Sequence, residues 1–136
     1  MVSSSRMSKS PFGTWSGRDL HTMFPGVALY AMGGEQVLLC RVTYQAGKSV
    51  ARHAHEHTEQ VMAIIEGEVE VTIGDEKRTL RPGDVCVMNR GVEHELHSTG
   101  GVTFFEALAP VPLDHVPDRD LDLVLGPEGG ATHVDR

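Results

Sequence analysis

Hydrophobic and polar positions alternate along this chain in short runs, separated by glycine, proline, aspartate and asparagine. Between residues 27 and 109 these runs recur at a spacing of roughly 8 to 12 residues, which is typical of antiparallel barrels and sandwiches. A long amphipathic helical period does not interrupt them. The pattern predicts an all-β domain with strands at residues 27–32, 36–44, 49–53, 60–66, 68–73, 77–80, 84–88, 93–98 and 102–108.

Two turns are well defined by the sequence. Gly74 and Asp75 separate an alternating run from a polar one, which predicts a hairpin with one face in solvent. Pro82 and Gly83 are adjacent, as in a tight turn, and the uninterrupted apolar run Val85–Met88 follows them. The lack of alternation in this run predicts burial on both of its faces.

Length and composition restrict the class of protein. The 136 residues fit one domain, 40% of them are hydrophobic, and the net charge is -7. This acidic balance argues against nucleic acid or an anionic membrane as a partner, so we expect a small molecule or a protein. The sequence offers neither a signal peptide nor a membrane-spanning stretch, which favours a cytoplasmic location. Cys40 and Cys86 are expected to be buried thiols.

The chain divides into three predicted parts: a disordered leader at residues 1–10, a barrel at 11–110 and an acidic tail at 111–136. The tail holds six acidic and two basic residues, and so -4 of the total charge. Its alternating leucines, at 121, 123 and 125, are expected to dock on the barrel edge or on a second subunit, while residues 126–136 are expected to fray. We predict a homodimer in which residues 24–32 and the tail pair across subunits.

The histidines suggest a metal site. His53 and His55 are two residues apart in an extended segment, which places both imidazoles on one face of a strand. His94 lies in a second predicted strand and could complete a set of three nitrogens, with a carboxylate or amide oxygen as a further ligand. His57 belongs to the following turn and is expected to be exposed or to lie behind the ligands. Alternation places His97 on the face opposite His94.

Two segments have a characteristic spacing of glycines and histidines. The first runs Gly47-x5-His53-x-His55-x4-Gln60-x6-Gly67, and the second runs Gly83-x5-Asn89-x-Gly91-x2-His94-x3-Ser98. They resemble the two cupin motifs, usually written G-x5-H-x-H-x4-E-x6-G and G-x5-P-x-G-x2-H-x3-N. This resemblance implies a double-stranded β-helix, a jelly-roll-like cupin barrel, with a metal near one open end. By position, it implies His53, His55, Gln60 and His94 as the metal ligands.

One position departs from the family pattern. The frame places Gln60 where the family usually has glutamate, and Glu59 lies one residue earlier. Only one of the two can face the metal; Gln60 is the preferred ligand, and Glu59 stays open as the alternative. A neutral amide ligand would leave the ion its full formal charge, which favours Lewis-acid chemistry over redox chemistry.

The resemblance implies one divalent ion, which could be zinc, nickel, iron or manganese, and a small-molecule substrate. We expect an enzyme of the cyclase, isomerase or lyase type acting on a small oxygenated substrate, since cupins that process uronates or cyclise aromatic polyketides have similar sites. Predicted inward side chains form an apolar pocket that favours the second substrate class; they are Tyr44, Met62, Ile64, Met88 and Phe104. Glu59 and Glu106 are the carboxylates nearest to it, and the general base is unassigned. The alternatives are an Fe(II)-dependent dioxygenase and a non-catalytic module that senses a ligand or a metal.

Overall fold

The computed structural model describes residues 10–110, together with the backbone of two later strands. After a short 3-10 turn at Trp15–Gly17, the chain is built of strands. They are β1 (His21–Phe24), β2 (Val27–Gly33), β3 (Leu38–Tyr44), β4 (Lys48–His53), β5 (Glu59–Gly67), β6 (Val69–Ile73), β7 (Glu76–Leu80), β8 (Val85–Met88), β9 (His94–Ser98), β10 (Val102–Ala109), β11 (Leu121–Leu125) and β12 (Ala131–Asp135). All nine predicted strands are confirmed, with ends that shift by one or two residues, whereas β1 and β12 were not predicted.

The strands form two facing antiparallel sheets. One sheet has six strands in the order β1-β2-β3-β10-β5-β8, and the other has four in the order β4-β9-β6-β7. Because β4 pairs with β9 and β10 lies between β3 and β5, the chain crosses repeatedly from one sheet to the other. This is the jelly-roll arrangement that the sequence predicts.

The core fills the space between the two sheets. Along β3 every second residue is buried, from Leu38 to Tyr44, as expected for a strand with one face in the interior. Tyr44 and Phe104 meet edge to face with ring centroids 5.5 Å apart, and aliphatic side chains supply most of the remaining core. The five side chains predicted to point inward are all buried. All five therefore point inward as predicted, but only Tyr44 and Phe104 of them line the pocket described below, and the other three belong to the core.

The prediction that β8 is buried on both faces is wrong. Val85 is 68% exposed and Val87 is 44% exposed. β8 lies at the edge of the six-stranded sheet, and its outer face contributes to an apolar row that crosses four strands through Leu39, Ala107, Val61 and Val87. The sequence of β8 lacks polar residues at alternate positions because its outward-facing residues are also apolar. No second layer of described residues covers them.

Both predicted turns are confirmed. Ile73 pairs with Glu76 across the two-residue turn, in which Gly74 has a φ of 60°. At the second turn, Gly83 has a φ of 95°, and the amide of Asp84 donates to the carbonyl of Arg81 at 2.8 Å. Glycine suits both positions because a side chain disfavours positive φ.

The C-terminal strands β11 and β12 pair with each other as an antiparallel hairpin that is separate from the barrel sheets. The expectation of fraying is therefore wrong for Ala131–Asp135. β12 lies beside β1 and β2. The predicted leader falls almost entirely outside the described residues, as do 111–120 and 126–130, so the division of the chain into three parts stays a prediction.

Among the described residues, no helix has the length and apolar character needed to cross a membrane.

Candidate metal centre

Two adjacent strands of the four-stranded sheet bring the histidines together. His53 at the end of β4 pairs directly with His94 at the start of β9. The pairing contains a bulge, because His53 lies three positions after Val50 on β4 while its partner His94 lies only two positions before Leu96 on β9. The extra residue places His53 on the same inner face as Val50.

The three imidazoles form a compact group. The candidate ligand nitrogens of His53, His55 and His94 all lie within 4.8 Å of one another. A point therefore exists no more than about 2.8 Å from all three, compared with a zinc–nitrogen distance of about 2.0 to 2.1 Å. The ring centroids of His53 and His94 are 4.3 Å apart, and His55 lies 5.0 and 5.4 Å from them. The structure thus brings together all three histidines that the sequence singled out.

Backbone carbonyls orient two of the rings. Nδ1 of His53 lies 2.8 Å from the carbonyl oxygen of Ala51, and Nδ1 of His94 lies 3.1 Å from that of Val92. A carbonyl can only accept, so Nδ1 is the protonated nitrogen in both rings and Nε2 keeps its lone pair. Nε2 of His94 is buried and has no hydrogen-bond partner among the described residues. This tautomer is the one that an Nε2 ligand needs.

The opposite sheet contributes Gln60, which lines the same pocket as the three histidines. Gln60 is 6% exposed, whereas Glu59 points outward into solvent. The alternation that favoured Gln60 over Glu59 in the sequence thus agrees with the structure, in which Gln60 points inward and Glu59 outward. Gln60 donates a hydrogen bond through Nε2 to Oε2 of Glu106 on β10. Its Oε1 is buried and accepts no hydrogen bond from the described residues.

The remaining histidines of the two motifs do not join this group. His57 is 66% exposed in the turn after His55 and lies 3.8 Å from the carboxylate of Glu56. His97 lies on the opposite face of β9, beside Ser49 of β4. The expectations for both residues are confirmed. Gly91 of the second motif acts through its backbone, because its amide donates to the carbonyl of His55 at 2.8 Å.

Burial sets the protonation of the interior groups. It lowers the pKa of His94 from 6.5 to about 4; the hydrogen bond to Val92 opposes this shift, and the charges of His53 and Arg52 add to it. Burial also raises the pKa of Glu106 from 4.5 to about 7, against the effect of the Gln60 hydrogen bond. His94 is consequently neutral at pH 7, which is the form that binds metals.

A pocket that opens to solvent lies against this group. Apolar side chains from both sheets line it, among them Met23, Tyr44, Val50, Leu96 and Phe104. Burial, and then the charge of Glu106, raise the pKa of Tyr44 well above its usual value of 10.0. The described residues that line the pocket include no lysine or arginine.

Sequence reasoning missed two features of this centre. It named Glu106 as a carboxylate near the pocket but did not connect it with Gln60, which is 46 residues away in the chain. It also missed Met23, which reaches the pocket from an irregularity in the pairing of β1 with β2. The Pro25-Gly26 dipeptide between these strands is the signal that could have revealed the hairpin.

Comparisons with known proteins agree with this architecture. A family model described as a cupin domain matches residues 40–107, half of the chain. The protein belongs to the cupin family.

Several solved structures share the fold. KdgF from Halomonas sp. is 22% identical with a TM-score of 0.70, and the match covers 75% of this chain and 94% of that one. An RmlC-like cupin from Shewanella frigidimarina is 19% identical with a TM-score of 0.73, covering 79% and 97%. A predicted oxalate decarboxylase from Thermotoga maritima is 21% identical with a TM-score of 0.62, covering 71% and 96%. The search of curated proteins gives no match.

Proposed function

We propose that His53, His55, Gln60 and His94 bind one divalent metal ion, and that the protein is an enzyme acting on a small oxygenated substrate in the adjoining pocket. Such an ion would act as a Lewis acid on a substrate oxygen. The reaction class is cyclisation, isomerisation or elimination. The cupin fold and the compact histidine group support this proposal.

The observation that carries the proposal is the buried amide oxygen of Gln60. A buried acceptor without a hydrogen bond is costly and calls for a partner. Here Oε1 of Gln60 and Nε2 of His94 are both buried and lack hydrogen bonds within the described part of the chain. Three imidazole nitrogens and one amide oxygen suit zinc, nickel, iron or manganese.

The pocket favours an uncharged substrate over a sugar acid. Substrate carboxylates are usually bound by arginine or lysine, and the described lining offers neither. Tyr44 and Phe104 instead present ring surfaces, and Val50 and Leu96 add aliphatic surface. We therefore assign the substrate to neutral aromatic or polyketide-like ketones, with the buried hydroxyl and carboxyl groups of Tyr44 and Glu106 nearby.

The decisive experiment combines metal analysis with turnover. Protein purified without added metal should contain about one divalent ion per chain, and chelation should abolish turnover of aromatic polyketide-like ketones. Zinc or nickel should restore turnover in the absence of oxygen. Oxygen uptake in proportion to iron content would instead support the dioxygenase alternative. Metal binding without turnover of either neutral ketones or uronates would support the sensing module.

The neighbouring residues Gln60 and Glu59 provide a matched pair of variants. Gln60→Ala removes a buried side chain that lines the pocket with the histidines, and Glu59→Ala removes an exposed one. Metal affinity should fall at least tenfold for Gln60→Ala and stay unchanged for Glu59→Ala. The reverse result would assign the ligand to Glu59 and contradict the proposed site.

A homodimer stays a prediction, but its expected geometry changes. β2 pairs with β1 and β3 of its own chain, so its backbone is not open to a second subunit. The outer row through Leu39, Val61 and Val87 is apolar, uncharged and more than 40% exposed at each of these positions. We place the contact between two copies there, because a row of this kind can pack against itself about a twofold axis. Val61→Glu should convert a dimer, measured by sedimentation, into a monomer.

The cytoplasmic location also stays a prediction.

A further inference from the structure

The pairing of β5 with β10 brings Gln60 and Glu106 together inside the barrel. Gln60 pairs with Leu108, and Glu106 pairs with Met62, so Gln60 and Glu106 are diagonal neighbours. Residues two apart on a strand share a face, and the buried positions on both strands show that this face is the interior. Long side chains reach across such a diagonal.

The contact fixes which end of the amide faces the histidines. Nε2 of Gln60 donates to Oε2 of Glu106, so the amide meets the carboxyl group with its NH₂ end. Oε1 then points away from Glu106 and is left buried without a hydrogen bond from the described residues. With Glu106 ionised, the flipped amide would put two acceptor oxygens against each other, and it would turn an NH₂ group, which cannot bind a metal, toward the imidazoles.

We propose that Glu106 is a positioning residue that holds the Gln60 amide with its oxygen toward His53, His55 and His94. This inference rests on the proposed metal site and adds a residue outside the two cupin motifs to it. Glu106 does not itself bind the metal in this assignment. It orients the ligand through a hydrogen bond, as carboxylates that do not bind the metal orient metal-bound histidines in other proteins.

The inference predicts the effect of removing the acceptor. Glu106→Leu deletes the hydrogen bond, and Glu106→Gln replaces the carboxylate by a group that can donate as well as accept. In both variants the Gln60 amide is free to turn, so affinity for Zn²⁺ or Co²⁺ should fall about 10- to 100-fold. Met62→Leu is the matched control, because Met62 is buried on β5 directly opposite Glu106 but has no polar group. Its metal affinity should stay within about twofold of wild type.

An exchange of the two side chains separates positioning from a merely structural role. In the double variant Gln60→Glu/Glu106→Gln, the amide on β10 can donate to one carboxylate oxygen on β5, and the other oxygen faces the histidines. The double variant should therefore regain at least wild-type affinity for Co²⁺, although Glu106→Gln alone is weak. A structural defect at position 106 would not be repaired by a change at position 60.

The Co²⁺ absorption spectrum provides a readout that is independent of activity. Glu106→Leu should shift the visible bands toward those of Gln60→Ala, since both lose the amide oxygen as a ligand, whereas Met62→Leu should keep the wild-type bands. Wild-type spectra and affinity in folded Glu106→Leu would overturn the positioning role and leave the proposed metal site intact. Failure of the wild-type protein to bind any divalent ion would overturn both.

Discussion

His94 offers the most direct test of the metal centre by protein stability. It is 1% exposed, its Nε2 is buried, and it pairs with His53 across the two strands that hold the histidines. A metal that binds only the folded state at 100 times its dissociation constant stabilises that state by about 2.7 kcal/mol. His94→Ala removes one of four proposed ligands, so the variant should lose nearly all of this gain.

The size of the thermal shift follows from the length of the chain. An unfolding entropy of about 2.1 cal/mol/K per residue gives about 0.29 kcal/mol/K for 136 residues. The wild-type melting temperature should therefore rise by about 9 °C at saturating zinc. If His94→Ala weakens zinc binding 100-fold, the same zinc concentration stabilises it by only about 0.4 kcal/mol, or about 1 to 2 °C.

The assay is a pair of thermal melts for each variant, one with zinc and one with a chelator. Because each variant is compared with its own metal-free form, a change in intrinsic stability cancels. His97→Ala is the control, since His97 lies on the same strand but on the opposite face, beside Ser49. A full shift in His94→Ala, or loss of the shift in His97→Ala, would refute the assignment of the metal centre.

Four further predictions concern residues around the site. Gly67→Ala should destabilise the protein by at least 2 kcal/mol in denaturant unfolding, because a β-carbon at this φ of 76° would overlap the carbonyl oxygen of Gly101, just before β10. Gly47→Ala should cost only about 1 kcal/mol, since its positive φ is similar but the space around it is open. Phe104→Ala removes a ring that is 2% exposed and should cost about 3 to 5 kcal/mol by the same measurement. Burial, and then the charge of Glu106, raise the pKa of Cys86 from 9.0 to about 11. At pH 8 the thiolate fraction of Cys86 should therefore be about 100-fold below that of an ordinary thiol, and its rate of labelling by a thiol reagent should be lower by the same factor. The labelling rate should rise steadily up to pH 11.

The strands and the histidine group could be predicted from the sequence because both depend on local spacing. Two-residue alternation identifies the inner face of each strand, and the glycine frame of the first motif selects Gln60 over Glu59. Turn residues such as Gly74 and Gly83 mark where the strands end. These signals lie within a few residues of the features that they predict.

The rest could not be predicted because it depends on the pairing of distant strands. Alternation from Val50 would turn residue 52 inward, and only the bulge opposite β9 brings His53 to the inner face. The exposure of Val85 depends on the position of β8 at the edge of the sheet, which its apolar composition does not reveal. The contact between Gln60 and Glu106 likewise requires the register of β5 with β10.

The position of Glu106 also bears on the proposed chemistry. A glutamate ligand at position 60 would neutralise one unit of the ion's charge, whereas the amide of Gln60 leaves that charge unchanged. In the proposed site, the carboxylate of Glu106 instead accepts a hydrogen bond from the amide nitrogen, which shifts electron density toward the amide oxygen and makes it a better donor. Gln60 and Glu106 would thus provide a ligand whose orientation is fixed by a hydrogen bond, while the ion keeps its full formal charge. This combination suits Lewis-acid chemistry on a neutral substrate better than stabilisation of a higher oxidation state.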